Sequence, residues 1–269
     1  MLITGASAGI GAASARRFAE EGARVVLAAR GRAALDTLAD ELRGRGHEVE
    51  VVPTDVGDLE ALGPLVERAV ELGGGLDVLV NNAGVNHRGA LERISVSQLA
   101  QLVQVNLTAP IVLTRLALPH LRKRRGAVVN VASLAGRIPV VDEATYSATK
   151  FGLRAFTIAL AEEMREAGVR VSVVSPGPVD TGFFGDDLDE VPDLVFSQPM
   201  STADEIAQLV IECAVDGEVE RMRPKLGGYL ATLGYLLPSL RRRLIPVLER
   251  KGAAAKARYA AGKRGGGSE

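Results

Sequence analysis

Short apolar runs alternate with longer amphipathic segments along most of the chain. Residues 24–29 form an apolar run typical of a buried strand, and Leu35, Leu38 and Leu42 then recur at helical spacing. The same alternation predicts strands at residues 49–52, 76–80, 128–131 and 169–174, and helices at residues 62–70, 96–124, 145–166 and 203–215. Strands separated by helices of this length predict βαβ units, a parallel sheet and helices on both of its faces, which is a doubly wound α/β fold.

The hydrophobic pattern also divides the chain. We find no internal repeat and no linker before residue 217, so we predict a single α/β domain over residues 1–217. A last strand and a helical C-terminal extension are predicted over residues 218–251, and a disordered tail over residues 252–269, which end in a glycine-rich sequence. Because only three residues precede Thr4, we expect a shortened first strand or a native start upstream.

Composition narrows the classes of function. Apolar residues make up 47 % of the 269 residues and charged residues 24 %, as in soluble globular proteins. Cys213 is the only cysteine, which excludes an internal disulfide framework and a cysteine-rich metal site. Tryptophan is absent and aromatic residues are 4 %, so we do not expect nucleic acid as a partner. No targeting segment is apparent, and we expect a cytoplasmic protein.

Charge is distributed unevenly along the chain. The formal net charge is −1, but residues 221–264 hold twelve Lys or Arg and a single acidic residue, Glu249. Within this basic segment, residues 226–240 are uncharged, and fifteen residues are too few to span a bilayer of about 30 Å. Two interpretations remain open for residues 221–251: a helical pair that packs over the substrate mouth or at a subunit interface, or a peripheral membrane anchor.

A glycine-rich turn follows the first predicted strand. The sequence is Thr4-Gly5-Ala6-Ser7-Ala8-Gly9-Ile10-Gly11, and a predicted helix comes next. Glycines at such a turn let a pyrophosphate approach backbone N–H groups at the helix N-terminus. An ordinary tight turn between a strand and a helix is the alternative explanation.

The same turn matches a second motif from a different class of enzyme. Gly5-Ala6-Ser7-Ala8-Gly9 fits G-x-S-x-G, the nucleophile elbow of α/β-hydrolases. A hydrolase needs an oxyanion loop from an earlier strand, and its histidine follows the serine and the acid in the chain. Only three residues precede Thr4 and the last histidine is His120, so the sequence disfavours a hydrolase.

The rest of the chain favours the phosphate-binding interpretation of the glycine turn. A set of small and polar residues follows the turn in a fixed order: Asp55-Val56, Asn81-Asn82-Ala83-Gly84, Asn106, Ser133, Tyr146, Lys150 and Pro176-Gly177. Together with the TGxxxGxG pattern of residues 4–11, this set resembles the classical short-chain dehydrogenase/reductase family over about residues 2–215. The resemblance implies a seven-stranded parallel sheet of the Rossmann type and a nicotinamide-dependent enzyme that interconverts an alcohol and a carbonyl.

The resemblance also implies catalytic roles. Tyr146 is the expected proton donor, Ser133 would hydrogen-bond the substrate carbonyl, and Asn106 would hold a water of a proton relay. Lys150 lies four residues after Tyr146 and therefore on the same face of the predicted helix. Its implied roles are to bond the nicotinamide ribose and to lower the pKa of Tyr146. Without the rest of the motif, the pair would be a surface tyrosine and a solvated lysine.

A simple estimate gives the size of the effect that is expected of Lys150. A free tyrosine has a pKa of about 10, so a proton donor working near pH 7 needs a decrease worth about 4 kcal/mol. One positive charge at about 4 Å supplies roughly that energy at an effective dielectric constant of about 20. We therefore expect Lys150, with the charge of an oxidised nicotinamide, to bring the pKa of Tyr146 towards 7.

The residues that would bind the cofactor follow from the same resemblance. They are the glycine turn (Thr4, Gly5, Ser7, Ala8, Gly9, Ile10, Gly11), the border of the adenine (Asp55, Val56), the lining of the adenosine ribose (Asn82, Ala83, Gly84), the carboxamide loop (Pro176, Gly177, Val179, Thr181), and Tyr146 and Lys150. Asn81 is expected to brace the sheet instead.

The end of the second strand predicts which nicotinamide cofactor is preferred. Family members that prefer NAD place an acidic residue there, where it accepts a hydrogen bond from the ribose 2′-OH. Here Ala29 is followed by Arg30, and a guanidinium pairs well with a 2′-phosphate. We therefore predict NADP(H) in preference to NAD(H), although Ala8 stands where many NADP-binding relatives carry a second basic residue. A solvated loop charge is the alternative for Arg30.

These patterns together predict an NADP(H)-dependent short-chain alcohol dehydrogenase or carbonyl reductase. Apolar side chains such as Phe183 and Phe184 in the loop over residues 180–200 favour an apolar substrate. A catalytically silent dinucleotide-binding regulator is the alternative, but none of the motif's catalytic residues is altered. The resemblance also implies a homodimer or homotetramer through the helices over residues 96–124 and 145–166.

Overall fold

A seven-stranded parallel sheet forms the centre of the protein. Its strands are β1 (Leu2–Thr4), β2 (Val25–Ala29), β3 (Val49–Pro53), β4 (Val78–Asn81), β5 (Ala127–Val131), β6 (Arg170–Pro176) and β9 (Glu220–Arg223). They lie in the order β3-β2-β1-β4-β5-β6-β9, while β7 (Val179–Asp180) and β8 (Ser201–Thr202) form a separate two-stranded ribbon. The computed structural model describes residues 1–182 and 188–265.

Helices cover both faces of the sheet. They are α1 (Gly9–Glu20), α2 (Arg32–Gly44), α3 (Leu62–Gly73), α4 (Val96–Val103), α5 (Ala109–Arg124), α6 (Ala144–Met164), α7 (Ala203–Asp216), α8 (Lys225–Leu236) and α9 (Pro238–Gly265). One core joins α1, α2 and α7 to the sheet around Leu38 and Ile206, and a second core joins α3, α5 and α6 around Leu113 and Leu160. The predicted doubly wound Rossmann-type fold is therefore confirmed.

The strands inside the sheet are buried without alternation because both faces of the sheet are covered, whereas the edge strands β3 and β9 are only partly buried. Every residue of β2 and of β5 is buried. β1 has only three residues, yet it lies between β2 and β4 at the centre of the sheet, and all three are buried. The sheet order reverses between β1 and β4, and this reversal leaves a crevice at the carboxyl ends of these two strands.

A buried hydrogen-bond network joins the centre of the sheet to the helices beside it. The Asn81 side-chain amide donates to Asn130 Oδ1 at 2.8 Å and to Thr114 Oγ1 at 3.1 Å, and the Asn130 amide donates to Thr157 Oγ1 at 2.8 Å. These bonds link β4 and β5 to α5 and α6. Asn81 thus braces the sheet, as expected from the sequence.

The segment Val96–Arg124 is one continuous helix in which a π-helical turn, Gln104–Thr108, separates α4 from α5. By length and composition alone, this helix is apolar enough to cross a membrane. Its apolar side chains Leu102, Leu113 and Leu121 are instead fully buried in the protein. Core packing therefore accounts for the composition of this helix.

The C-terminal segment is helical over most of its length. α9 continues to Gly265, so the disordered tail predicted from residue 252 is wrong for residues 252–265, and residues 266–269 lie outside the described part. Alanine, lysine and arginine, which are good helix formers, dominate residues 253–258 and favour the helix. Phe183 and Phe184, which the sequence suggested as pocket residues, also lie outside the described residues.

α9 is held against the segment of residues 188–197 that follows the ribbon strand β7. Lys256 Nζ donates to the backbone oxygen of Val191 at 2.7 Å and pairs with Asp193 at 3.2 Å. The rings of Phe196 and Tyr259 pack with their centroids 5.8 Å apart. These contacts fix the extension onto the α/β domain, while a domain boundary at residue 217 stays a prediction.

Glu220 on β9 joins the C-terminal extension to β6, to α6 and to the loop after β5. Its carboxylate accepts hydrogen bonds from Arg154 Nε at 2.8 Å, from Arg137 Nε at 3.0 Å and from Ser175 Oγ at 3.2 Å. Arg137 also donates to Thr232 on α8 at 2.7 Å. Burial alone would raise the pKa of Glu220, but the hydrogen bonds from Arg154 and Arg137 hold that pKa below its ordinary value of 4.5.

We expect Glu220→Gln to lower the free energy of unfolding at pH 7 by about 3 kcal/mol, the low end of the cost of removing one partner from a buried ion pair. Because the folded-state pKa of Glu220 is depressed, its stabilising effect is present above the ordinary pKa and is lost as the pH falls through the folded-state pKa. The difference in the free energy of unfolding between variant and wild type should therefore become smaller at acidic pH. Urea unfolding at several pH values measures both effects.

Glu71→Gln provides the matched control, because Glu71 pairs with Arg68 at 3.1 Å while 66 % of its side chain is exposed. An exposed pair contributes less than about 1 kcal/mol. Equal losses of stability in the two variants would contradict the special role of Glu220.

Candidate active site

A cavity of about 800 Å³ opens at the carboxyl ends of the central strands. The glycine turn and the ends of β2, β3 and β4 form one side of it, and the loop after β5, the start of α6 and the C-terminal helices form the other. Most of the residues singled out from the sequence line this cavity: Gly5, Ser7, Ala8, Gly9, Ile10, Arg30, Asp55, Val56, Asn82, Ala83, Gly84, Ser133, Tyr146, Lys150, Pro176, Gly177, Val179 and Thr181.

The glycine turn brings backbone, without side chains, to the cavity wall. Gly5 has a φ of +64°, and a Cβ there would lie 2.8 Å from Ala83 Cα. A Cβ on Gly11 would clash with the backbone oxygen of Gly5. The N-cap of α1 is Ala8, which has no side-chain acceptor, so the first N–H groups of α1 are available to an anion in the cavity.

Three residues of the predicted site stand behind the cavity wall. Thr4 Oγ1 accepts the backbone N–H groups of Asn82 at 3.1 Å and Ala83 at 3.2 Å, so Thr4 fixes the turn after β4. Gly11 packs beneath Gly5. For Thr4 and Gly11 the geometry therefore supports a role in shaping the wall. Asn106 is the third residue of the predicted site that stands behind the cavity wall.

Asn106 holds the loop that follows β4. Its Oδ1 accepts the backbone N–H of Val85 and its Nδ2 donates to the oxygen of Val85, each at 2.9 Å. A Cβ on Gly84 would lie 3.4 Å from Asn106 Oδ1 and 3.7 Å from Lys150 Nζ, so this glycine alone separates the two side chains. The π-helical turn places Asn106 where its amide can pair with a loop rather than with its own helix. Its expected role in holding a water stays a prediction.

Tyr146 and Lys150 lie one helical turn apart on α6 and both are buried. Lys150 Nζ lies 5.7 Å from the centroid of the Tyr146 ring and donates to the backbone oxygen of Val131 at 3.0 Å. Tyr146 hydrogen-bonds Ser133, whose Oγ also accepts the backbone N–H of Ala135 at 3.1 Å. The three predicted catalytic side chains are therefore brought together at one point of the cavity.

Burial dominates the electrostatics of this cluster. It raises the pKa of Tyr146, the charge of Glu143 raises that pKa further, and the hydrogen bond with Ser133 opposes both. Burial also lowers the pKa of Lys150 to about 8. In the protein without cofactor, burial therefore holds the pKa of Tyr146 above its ordinary value. The expectation that Lys150, with the charge of an oxidised nicotinamide, brings this pKa towards 7 stays a prediction.

Sequence reasoning missed a buried ion pair beside Tyr146. Arg88 Nε donates to Glu143 Oε1 at 2.9 Å, and Asn86 Nδ2 donates to the same oxygen at 3.0 Å. The side chains of Arg88 and Glu143 are only 10 % and 6 % exposed, and both residues line the cavity. The one available signal was the spacing of three between Glu143 and Tyr146, which places their side chains near each other at the start of a helix.

The remaining predicted residues lie at the two ends of the cavity. Arg30 is exposed directly after β2, and Asp55 and Val56 follow β3 beside it. On the opposite side, Thr181 touches the glycine turn, since a Cβ on Gly9 would lie 3.1 Å from Thr181 Cγ2. The loop after β6 therefore closes against the start of α1.

The part of the cavity beyond Tyr146 is apolar. Its lining comes from the loop before α6, from residues 191–195 and from α8 and α9: Ile138, Pro139, Val140, Val191, Leu194, Val195, Leu230, Leu233, Leu240, Leu244, Ile245 and Leu248. Within the described residues no group of three or more His, Cys, Asp or Glu is arranged to hold a metal ion.

These features fit a dinucleotide. The backbone cradle at Gly5 and Gly11 and the N-terminus of α1 suit a pyrophosphate. The position at the reversal of the sheet order is where such ligands bind in open α/β sheets. Arg30 offers a cation to a phosphate at the far end of the cavity.

Comparison with known proteins agrees with this geometry. The family model described as short chain dehydrogenase matches residues 1–191. Ketoacyl reductase HetN of Nostoc sp. is 37 % identical over 213 residues, which cover 78 % of this chain and 74 % of that protein.

Solved structures show the same likeness. A short-chain dehydrogenase from Burkholderia cenocepacia in complex with NADP matches with a TM-score of 0.76 and 30 % identity, covering 82 % of this chain and 94 % of that one. A variant of actinorhodin polyketide ketoreductase with NADPH matches with a TM-score of 0.77 and 33 % identity, covering 84 % of this chain and 96 % of that one. The chain therefore belongs to the short-chain dehydrogenase family of NAD(P)-dependent oxidoreductases.

Proposed function

We propose that this protein interconverts an alcohol and a carbonyl on an apolar substrate and uses NADP(H) in preference to NAD(H). The observation that carries the proposal is the meeting of Ser133, Tyr146 and Lys150 in a cavity that has a phosphate cradle at one end and an apolar lining at the other. The names of two relatives, a ketoacyl reductase and a polyketide ketoreductase, support a carbonyl as the reacting group.

The roles of the side chains follow from their protonation states. When bound, the nicotinamide supplies or accepts a hydride. Tyr146 is protonated at neutral pH and can donate that proton to a carbonyl oxygen. Burial raises its pKa and weakens it as an acid, so the transfer needs the cationic Lys150 nearby. Ser133 offers the same oxygen a second hydrogen bond. Lys150 is mostly cationic at pH 7, since its pKa is about 8, and its charge favours the negative oxygen that develops during reduction.

Arg30 supports the preference for NADP(H). It is exposed at the carboxyl end of β2 and lines the cavity beside Asp55 and Val56. An arginine there can pair with a 2′-phosphate, whereas no acidic side chain is present at Ala29 or Arg30 to accept a hydrogen bond from a free 2′-OH. The related structures that hold NADP or NADPH support the same preference.

Assembly and location are part of the same proposal. We infer a cytoplasmic homodimer or homotetramer that associates through the helices at Val96–Arg124 and α6. The exposure of Val96 and Val103 supports a subunit interface on this surface, because these side chains are 82 % and 42 % exposed on the outside of that helix. Light scattering on the purified protein measures the assembly directly.

Tyr146→Phe should lower kcat about 10²- to 10⁴-fold in ketone reduction, because it removes the general acid. NADPH binding should be retained, since the ring remains. The measurement is NADPH consumption over a panel of apolar ketones, with fluorescence titration of NADPH as the binding readout. Tyr229→Phe is the matched control, because Tyr229 is 63 % exposed on α8. A Tyr146→Phe enzyme with the wild-type rate would rule out the proposed proton donor.

Arg30→Ala should weaken NADPH binding about tenfold to a hundredfold, the range expected when a charged hydrogen-bond partner is lost. NADH binding should change little. Arg32→Ala is the control, because Arg32 is exposed nearby and pairs with Asp36 at 3.2 Å. Tighter binding of NAD(H) than of NADP(H) by the wild-type protein would refute the preference.

Glu143→Gln should move the alkaline limb of the pH–rate profile for reduction to lower pH. The charge of Glu143 raises the pKa of Tyr146, so its removal lowers that pKa and the tyrosine loses its proton at a lower pH. Glu92→Gln, at an exposed site, should leave the profile in place. A profile that moves to higher pH in Glu143→Gln would contradict the assigned influence of Glu143.

A further inference from the structure

The exposed apolar surface of the protein is concentrated on its C-terminal helices. Among the described residues, sixteen large apolar side chains are exposed, and ten of them lie between Leu226 and Val247. Soluble proteins rarely expose contiguous apolar patches of such composition unless the patch meets a partner. These ten residues are called the apolar patch below.

α8 is apolar on both of its sides. Gly227, Gly228 and Ala231 are buried against the protein. A Cβ on Gly228 would overlap Met222, so the close packing of this side requires residues with little or no side chain. The opposite side carries Leu226, at 70 % exposure, and Leu233, at 45 %. The large side chains of α8 are thus directed outwards, although the small ones make the contact with the fold.

α9 continues the apolar patch and adds positive charge. Leu240, Leu244 and Val247 recur at spacings of four and three, so they share one face of the helix, and each is at least 42 % exposed. Arg243 and Lys251 are exposed at neighbouring positions of that helix. Between residues 221 and 264 only Glu249 is acidic.

The apolar patch surrounds the entrance to the cavity. Leu230, Leu233, Leu240 and Leu244 line the cavity and are also between 42 % and 53 % exposed. The apolar patch and the cavity therefore share these four side chains, with Gln198 and Arg241 as polar neighbours in the lining.

We propose that the apolar patch and its flanking cations dock this protein on an anionic lipid surface. Apolar side chains at the helix surface can enter the boundary of the acyl chains while arginines meet lipid phosphates. A second copy of the chain is a poorer occupant, because a two-fold contact through this surface would bring the like charges of both copies together. If the proposed function holds, an apolar substrate passes from the bilayer directly into the cavity.

The test uses the full chain without cofactor or substrate, so its result does not depend on the proposed activity. Sedimentation with phosphatidylglycerol-containing vesicles should pellet the protein at low salt, and phosphatidylcholine vesicles should pellet much less. A combined Leu226→Ser, Tyr229→Ser, Leu236→Ser variant should stay in the supernatant; none of these three residues lines the cavity. The control, Leu91→Ser, Val141→Ser, Val215→Ser, removes three exposed apolar side chains outside the apolar patch and should still pellet.

A charge variant gives an independent measurement. Arg242→Gln with Arg243→Gln should lower the vesicle partition coefficient about thirtyfold, from about fivefold for each charge removed near an anionic surface. Circular dichroism confirms that each variant is folded. The proposal is overturned if the wild-type protein stays in the supernatant with anionic vesicles at low salt, or if the control variant loses binding as completely as the patch variant. It is also overturned if light scattering finds a lipid-free oligomer that the patch variant dissociates, because the apolar patch is then an interface between copies.

Discussion

The close approach of two loops at the centre of the sheet is the constraint on which the rest of the site depends. Gly5 sits against Ala83, and Thr4 holds the backbone of the same loop through its hydroxyl. A side chain at Gly5 would separate the loops, and the N-terminus of α1 would no longer face the cavity. A glycine loses more conformational entropy on folding than other residues do. Position 5 nevertheless requires one, because it needs both a positive φ and the absence of a Cβ.

Electrostatics in the catalytic cluster result from burial more than from pairing. Tyr146 and Lys150 both lose hydration, and each is shifted towards its neutral form. Glu143 and Arg88 form a charged pair beside this cluster, so the pKa of Tyr146 responds to the charges of these two residues and to the hydrogen bond with Ser133 as well as to burial.

The sequence was sufficient to predict the features that depend on neighbouring residues in the chain. Short apolar runs predicted β2 and β5, and the glycine spacing predicted the turn before α1, because sheet burial and backbone approach restrict residue types directly. The sequence did not predict the features that depend on packing between distant parts of the chain. The pairing of Arg88 with Glu143 joins residues 55 positions apart, and the helix over residues 252–265 is bonded to the distant segment of residues 188–197. The burial that raises the pKa of Tyr146 in the protein without cofactor could not be predicted, because burial depth has no local signature.

Arg154 lies one helical turn after Lys150 on α6, and its guanidinium reaches Glu220 on β9. The same carboxylate holds Arg137, which is bonded in turn to α8. The helix that carries Lys150 and the extension that lines the cavity are thus joined through one side chain, that of Glu220. Because of this link, unfolding of the extension also disturbs the anchoring of α6. The backbone amides of the two elements should therefore exchange their hydrogens as a single cooperative unit.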